Sequence, residues 1–398
     1  MTDRLYHTDA TLTTFDATVT AVSTDGRCVR LDRTAFYPTA GGQPHDLGCL
    51  GDLAVVDVVD DDEGITHHLA TPCPWTPGTM VHGQVEWTRR FDHMQQHTGQ
   101  HLLSALFADR FGWATVSVHF GAEASTLDLA TPAISDAQLQ RAERDANELA
   151  VAALPVTVSF EDAATASGLR KPSDRDGVLR IITIEGLDRS ACGGTHVAHT
   201  GQVGAILLRD AERTKGMTRV TFLCGHRVVT AARADHALLH RVAAPLSAAP
   251  RELPALVEMQ AQRLKALDAE LRRLRQALAV HDARAHHAAA APGPDGIRRI
   301  RLHAATGPVR DLEPLAQAIA ARGRAIVVGT SASPAAVLLA TSEDSGLDAG
   351  RLLRTAVTAT GGRGGGSARM AQGAVADAAA LVEVAAGLLA QTAPGPAA

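Results

Sequence analysis

The chain has 398 residues, 45% hydrophobic and 20% charged, with a formal net charge of −5. That length exceeds one small domain and points to two or three, and the balance is that of a globular protein, which excludes a mostly disordered chain. A molecule this close to neutral is no general trap for nucleic acid, so any RNA contact must come from local patches.

The segment Met1 to Ala10 lacks the basic-then-apolar pattern of a signal peptide. No run of about 18 apolar residues suggests a membrane span, so a cytoplasmic chain is the default expectation. Five cysteines, an odd number in a long chain, do not make a disulfide framework. Residues 1–90 read as short strands between turns. Val55–Val59 and Val81–Trp87 are strand-like, with Gly41-Gly42 and Pro77-Gly78 as breakers. The expectation is a small β-barrel or sandwich, with the barrel carried forward.

At Asp92 the pattern changes. Asp92 with Gln95 reads as an N-cap pair, and Met94, His97, His101, Leu102, Ala105 and Leu106 recur at helical spacing. A second helix is expected from Ser135 to about Ala153. Strands are expected at Pro155–Phe160, Leu179–Ile184, Val203–Arg209 and Arg219–Cys224. Residues 91–228 therefore read as an α+β domain.

From about Val228 the chain is helical and Ala-rich. Leu253, Val257, Gln260, Leu264, Leu267, Leu271, Leu274 and Leu278 alternate steps of three and four, a heptad seam. Residues 229–295 are expected to form a coiled-coil arm or helical hairpin ending in a Pro/Gly linker, with a homodimer expected through this arm or through the C-terminal domain. Residues 296–398 read as a small α/β domain with buried strands at Ala325–Thr330 and Ala336–Thr341, and Thr392–Ala398 as a frayed end.

The chemistry concentrates in two clusters. His97 and His101 stand at i and i+4, which places both imidazoles on one helix face, able to share an ion. Cys192-Gly-Gly-Thr-His196 is a compact turn that can aim a thiolate and an imidazole inward. Three nitrogens and one sulfur suit one tetrahedral Zn²⁺ per chain. His93, one turn earlier, lies about 12 Å along the axis from His101, too far to share an ion whose bonds are near 2 Å. It is expected to be structural. The four donors either close a structural site or leave a position open for water or substrate.

These residues carry a resemblance. Phe36-Tyr-Pro-Thr-Ala-Gly-Gly-Gln-Pro44 with Asp46 and Gly48, His93–Leu103, Asp188 with Cys192–His196, and Lys215-Gly-Met-Thr-Arg219 resemble, in order, the motifs of the trans-editing alanyl-tRNA deacylases (AlaX). Those proteins are similar to the editing half of alanyl-tRNA synthetase. Gly361-Gly-Arg-Gly-Gly-Gly-Ser-Ala-Arg-Met-Ala-Gln-Gly373 resembles the DHH-associated domain that ends the synthetase. The resemblance thus covers nearly the whole chain, in the long, free-standing form.

The resemblance implies hydrolysis of the ester joining serine, or secondly glycine, to alanine tRNA. It implies His97, His101, Cys192 and His196 as zinc ligands. Thr39 falls where the family places a hydroxyl near the serine side chain. His119 occupies a position that is glutamine in some alanyl-tRNA synthetases, a departure from the pattern. Thr39 and His119 are the catalytic expectations. Thr39, Gly41, Gly42, Gln43, Arg219, Arg363 and Arg369 are the substrate-binding ones, and Asp188 is expected to organise the loop rather than act as a base. The family description as ATP-binding comes with the resemblance.

A partner for one serine hydroxyl supplies discrimination of about 1–3 kcal/mol, roughly 10- to 100-fold. Gly41 and Gly42 allow backbone to approach a ligand. Gln43 can cap its loop or touch the adenosine, and structure is the preferred reading. Arg363 and Arg369, interleaved with glycines, can cradle RNA phosphate. Three other readings compete: a threonyl-type editing module, a zinc-stabilised RNA binder without catalysis, and a DHH-type phosphoesterase. The last lacks its Asp-His-His motif context.

Overall fold

The structure is a computed structural model that describes residues 2–172 and 176–393. The chain divides into two compact units, Met1–Ser247 and Ala248–Ala398.

In the first unit, six strands pair in a closed ring: Thr14–Val22, Cys28–Leu31, Gly64–Leu69, Leu53–Asp61, Gly48–Leu50 and Met80–Val85, the last returning to the first. Alternating burial along Thr14–Val22 and Met80–Val85 is the period of two expected of strands with one face inward. Phe15, Val19, Leu31, Phe36, Leu50, Val58 and Ile65 fill the interior. The expected fold is corrected here: the N-terminal sheet is not a free-standing barrel domain over residues 1–90. It is one flank of the larger unit, tied to the helix after it by the wholly buried ion pair of Asp46 and Arg90.

That helix, α1, Trp87–Phe111, runs through the middle of this unit and is buried almost all round from Arg90 to Phe107. It starts five residues before the expected cap at Asp92. Glu86 occupies the N-cap position, and Asp92 instead receives the guanidinium of Arg227 at 2.8 and 2.7 Å. Helix α2, Asp136–Val151, begins with the capping box of Ser135 and Gln138. A four-stranded antiparallel sheet (order Ile206–Thr214, Met217–Cys224, Ser125–Leu129, Thr115–Phe120) and a three-stranded one (Val156–Asp162, Val178–Ile184, Asp188–Ala191) complete the α+β region. Met94, Leu102, Leu103, Phe107, Leu127, Val220 and Phe222 form its core. Gly99 lies in α1 where a Cβ would sit 2.3 Å from Cys224 Sγ, so the helix meets the sheet there at backbone distance. Helix α3, His226–Ala243, follows the last strand.

The second unit opens with α4, Leu253–Ala289. Val257, Leu264, Leu267, Leu271, Leu274 and Leu278 of the expected seam are all exposed, while Ala283 near the helix end packs into the unit's core. The hairpin expectation is therefore corrected within this unit: α4 is one long helix with an uncovered apolar stripe. Helices α5 (Glu313–Ala320), α6 (Ala349–Ala359) and α7 (Ala378–Gln391) pack on a five-stranded mixed sheet. Its order is Arg298–Ala304, Ala325–Ala332, Ala335–Thr341, Met370–Ala374, Arg363–Gly366, with only the first pair parallel. The expected frayed end begins too early. Thr392 is buried and its carbonyl accepts from Arg299 Nε at 3.0 Å; the rest of that segment, from Pro394, lies outside the described residues. Among the described residues no helix is long and apolar enough to cross a membrane.

Candidate metal centre

His97 and His101 project from the same face of α1, and the Cys192–His196 turn meets them from the end of the Asp188–Ala191 strand. The donor atoms of His97, His101, Cys192 and His196 all lie within 4.8 Å of one another. Cys192 Sγ is 3.3 Å from His97 Nε2 and 3.4 Å from His196 Nε2. A tetrahedral zinc with bonds of about 2.0–2.3 Å requires donors about 3.5 Å apart, so the set fits that ion.

The second ring nitrogen of each histidine is occupied. His97 Nδ1 donates to Gln43 Oε1 at 2.8 Å and His101 Nδ1 to Asp188 Oδ2 at 2.8 Å. His196 Nδ1 donates to Thr98 Oγ1 at 3.1 Å. Pinning the proton on Nδ1 leaves every Nε2 lone pair aimed at the centre. Burial resists ionisation of the Cys192 thiol, but His97, His196 and hydrogen bonds from His101 and His196 overcome it, and the thiol lies well below its ordinary range. Burial pushes His196 down to about 3. Burial also opposes charging of His101, yet the Asp188 and Cys192 contacts raise it to about 9. The centre is thus a thiolate facing imidazoles, a donor set that exchanges its remaining proton for a cation.

Further residues hold this frame. Asp188 is fixed by Arg170 Nε at 2.6 Å and by Ser190. Buried Arg180 donates to the carbonyls of Cys192 and Gly194 at 2.7 and 2.9 Å. Gly194 is required, because a Cβ there would sit 2.1 Å from the His97 ring; Gly193 has open space.

The other expected residues fall in three places. Gln43, 1% exposed, bridges both clusters: its Oε1 also accepts the Thr195 N–H at 3.1 Å, and its Nε2 donates to Thr195 Oγ1 at 2.8 Å. Gly41 and Gly42 make a left-handed turn (φ 57° and 85°), and a Cβ on Gly42 would meet the Phe120 ring at 3.5 Å; that ring packs on His97 at 5.0 Å. Thr39 is exposed beside this turn, with its hydroxyl on His45 Nδ1 at 3.1 Å.

His119 and Arg219 lie elsewhere, on the outer face of the four-stranded sheet. Strand alternation turns His119 to the side opposite Phe120, and it is exposed. Arg219 shares that face, paired with Asp128 at 2.7 and 2.9 Å.

Arg363 and Arg369 belong to the second unit and are exposed. The Gly361–Gly373 stretch is a hairpin rather than a loop. Its glycines serve packing, since Cβ atoms on Gly362 and Gly364 would sit 2.4 and 2.7 Å from backbone carbonyls of the paired strand.

Arg90, Arg170, Arg180, Thr98 and Thr195 are not among the residues expected from the sequence. Thr98 and Thr195 were in view inside the two motifs, between the ligands. The arginines act across long sequence separations and leave no local pattern.

The site thus joins paired histidines on one helix to a Cys-Gly-Gly-Thr-His turn within one α+β unit. A family profile described as the Threonyl and Alanyl tRNA synthetase second additional domain matches residues 179–221. The alanyl-tRNA editing protein Aarsd1 of Bos taurus is 35% identical over 259 residues, 64% of this chain and 58% of that protein. Aarsd1 of Mus musculus is 32% identical over 285 residues, 70% of this chain and 68% of that protein. The alanine–tRNA ligase of Pyrococcus abyssi is 28% identical over 399 residues, 94% of this chain and 42% of that protein. The chain belongs to the alanyl-tRNA editing protein family. It spans only 58% of the bovine relative's length, and the expected ATP binding finds no support in these comparisons.

Proposed function

We propose that this protein hydrolyses the ester of mischarged alanine tRNA, releasing serine and secondly glycine while sparing alanine. One observation carries the reading: four converging donors, with the Nδ1 of every histidine held by Gln43, Asp188 or Thr98, in a chain of the alanyl-tRNA editing family. His97, His101, Cys192 and His196 are the proposed ligands of one zinc. When bound, zinc supplies Lewis-acid polarisation or an activated water.

The chain's own residues do the rest. Gln43 and Asp188 fix the rings, and Arg180 fixes the thiolate-bearing turn. Thr39, exposed beside the Gly41–Gly42 turn with its hydroxyl on His45 Nδ1, is the proposed partner of the serine hydroxyl. His119 and Arg219, on one exposed sheet face, and Arg363 and Arg369, on the exposed hairpin, are proposed contacts to the RNA. Self-association is assigned to the uncovered stripe of α4.

The test is release of amino acid from alanine tRNA charged with serine, glycine or alanine, by the zinc-loaded chain and by Thr39→Val. Loss of serine with alanine spared, and a roughly 10- to 100-fold drop for serine in the variant, is the expected result. Tight RNA binding with no release would instead favour the zinc-stabilised RNA binder.

A further inference from the structure

A second pair of histidines stands at the metal-sharing interval, on α3 in the first unit. His236 and His240 are one turn apart, and their rings pack together with centroids 4.4 Å apart at 55°. Residues four apart lie on one helix face. The spacing falls within the 4.4–5.3 Å that separates the three histidine rings of the four-donor centre. A metal bonded to an imidazole nitrogen at about 2.0–2.1 Å lies roughly 3.2 Å from the ring centre, so rings at this spacing meet it at about 90°. That is the angle between neighbouring positions of a square-planar or octahedral ion.

The surroundings select the ion. Both imidazoles are exposed, as is every residue of α3 from Ala232 to Val242, so each ring can turn a nitrogen to a shared ion and water can fill the remaining positions. Asp235, the carboxylate next to His236, is turned to Arg209 at 3.6 Å. Arg233 stands one turn before His236, and Arg241 directly follows His240. Mg²⁺ and Ca²⁺ require sets of oxygen ligands, and two guanidiniums oppose a cation held by charge alone. Imidazole nitrogens instead suit Cu²⁺, Ni²⁺ and Zn²⁺.

We propose that His236 and His240 form a second metal site, a surface chelate for a divalent transition ion of the Cu²⁺ and Ni²⁺ kind. Two protein donors stand here against four at the first centre, so the ion exchanges with solvent. The chelate also braces α3. Only Ala243 of this helix is buried, and a helix without packing is marginal in water. An ion bound across one folded turn stabilises that turn by mass action. The site is independent of the deacylase reading.

The test is calorimetric titration of the zinc-loaded full chain with Ni²⁺, beside hydrogen exchange of the same samples, with released zinc measured so that exchange at the first centre is not counted. Wild type is expected to bind one Ni²⁺. His236→Ala and His240→Ala each weaken it about tenfold or more, because a single imidazole replaces a chelate. His236→Ala with Leu239→His keeps the number of histidines but sets two at adjacent positions, which do not face each other, and stays weak. His226→Ala, which removes an exposed histidine elsewhere on α3, leaves binding unchanged. Ni²⁺ slows exchange of the α3 amides in wild type and not in His236→Ala. Equal Ni²⁺ affinity in wild type and His236→Ala overturns the assignment, as does a folded wild-type chain that takes up no Ni²⁺. Full recovery by the double variant also overturns it, since histidine number and not spacing would then hold the ion.

Discussion

Replacing Gln43 by leucine separates orientation of the metal centre from the ligands themselves. The side chain is buried and makes three bonds, accepting from His97 Nδ1 and Thr195 N and donating to Thr195 Oγ1. Leucine has similar bulk and makes none of them. Two buried N–H donors are then orphaned at about 1–3 kcal/mol each, or roughly 2–6 kcal/mol together, against a whole-domain stability of about 5–15 kcal/mol. His97 also loses the acceptor that fixes its tautomer, and loss of such a partner lowers metal affinity by about 10- to 100-fold. Gln43→Glu is the control. A carboxylate accepts the same two N–H groups, and the Thr195 hydroxyl can donate to it, so zinc affinity should hold or rise. The assay is zinc competition against a chelator, with urea unfolding of the same samples. A folded Gln43→Leu chain whose zinc affinity stays within threefold of wild type would refute the idea that Gln43 orients His97.

Three further outcomes are expected. Arg90→Leu leaves the Asp46 carboxylate, 0% exposed, without its partner, and urea unfolding should report a loss of about 3–5 kcal/mol; a loss below about 1 kcal/mol would contradict it. His67 is wholly buried, with Nδ1 on the Val29 carbonyl and Nε2 on the Thr34 hydroxyl, and burial lowers it from 6.5 to about 4. Between those values the unfolded chain binds the extra proton, so stability present above about pH 6.5 falls as pH drops toward 4, by up to about 3 kcal/mol. His67→Asn should flatten that acid limb in pH-dependent unfolding, and an unchanged limb counts against the assignment. Lastly, if chains pair through the exposed stripe of α4 as proposed, wild type should scatter as two chains and Leu267→Glu with Leu274→Glu as one; equal masses would remove α4 as a pairing face.

Much of the metal centre was legible because it is local. The i, i+4 histidines and the Cys192–His196 turn each fit within five residues, and the helix and turn that carry them obey short-range rules. The start of α1 was misplaced because Asp92 looks like a cap. Its carboxylate is instead held by Arg227, a partner far along the chain that periodicity does not reveal. The same limit hid Arg180 and Arg90, whose roles come from carbonyls and a carboxylate brought close only by the tertiary fold. The α4 seam is a heptad pattern in the sequence, but a pattern records which face is apolar and not what covers it. His119 illustrates strand parity: its neighbour Phe120 packs on His97, and one residue's difference in register turns His119 outward.

His97, His101, Cys192 and His196 are proposed to hold one zinc on which deacylation depends. Zinc content per chain and serine release from charged alanine tRNA, measured on the same preparations of wild type and Cys192→Ala, test it most directly. One zinc per wild-type chain is expected, with joint loss of metal and activity in the variant. Full serine release by a folded chain that holds no zinc would contradict it.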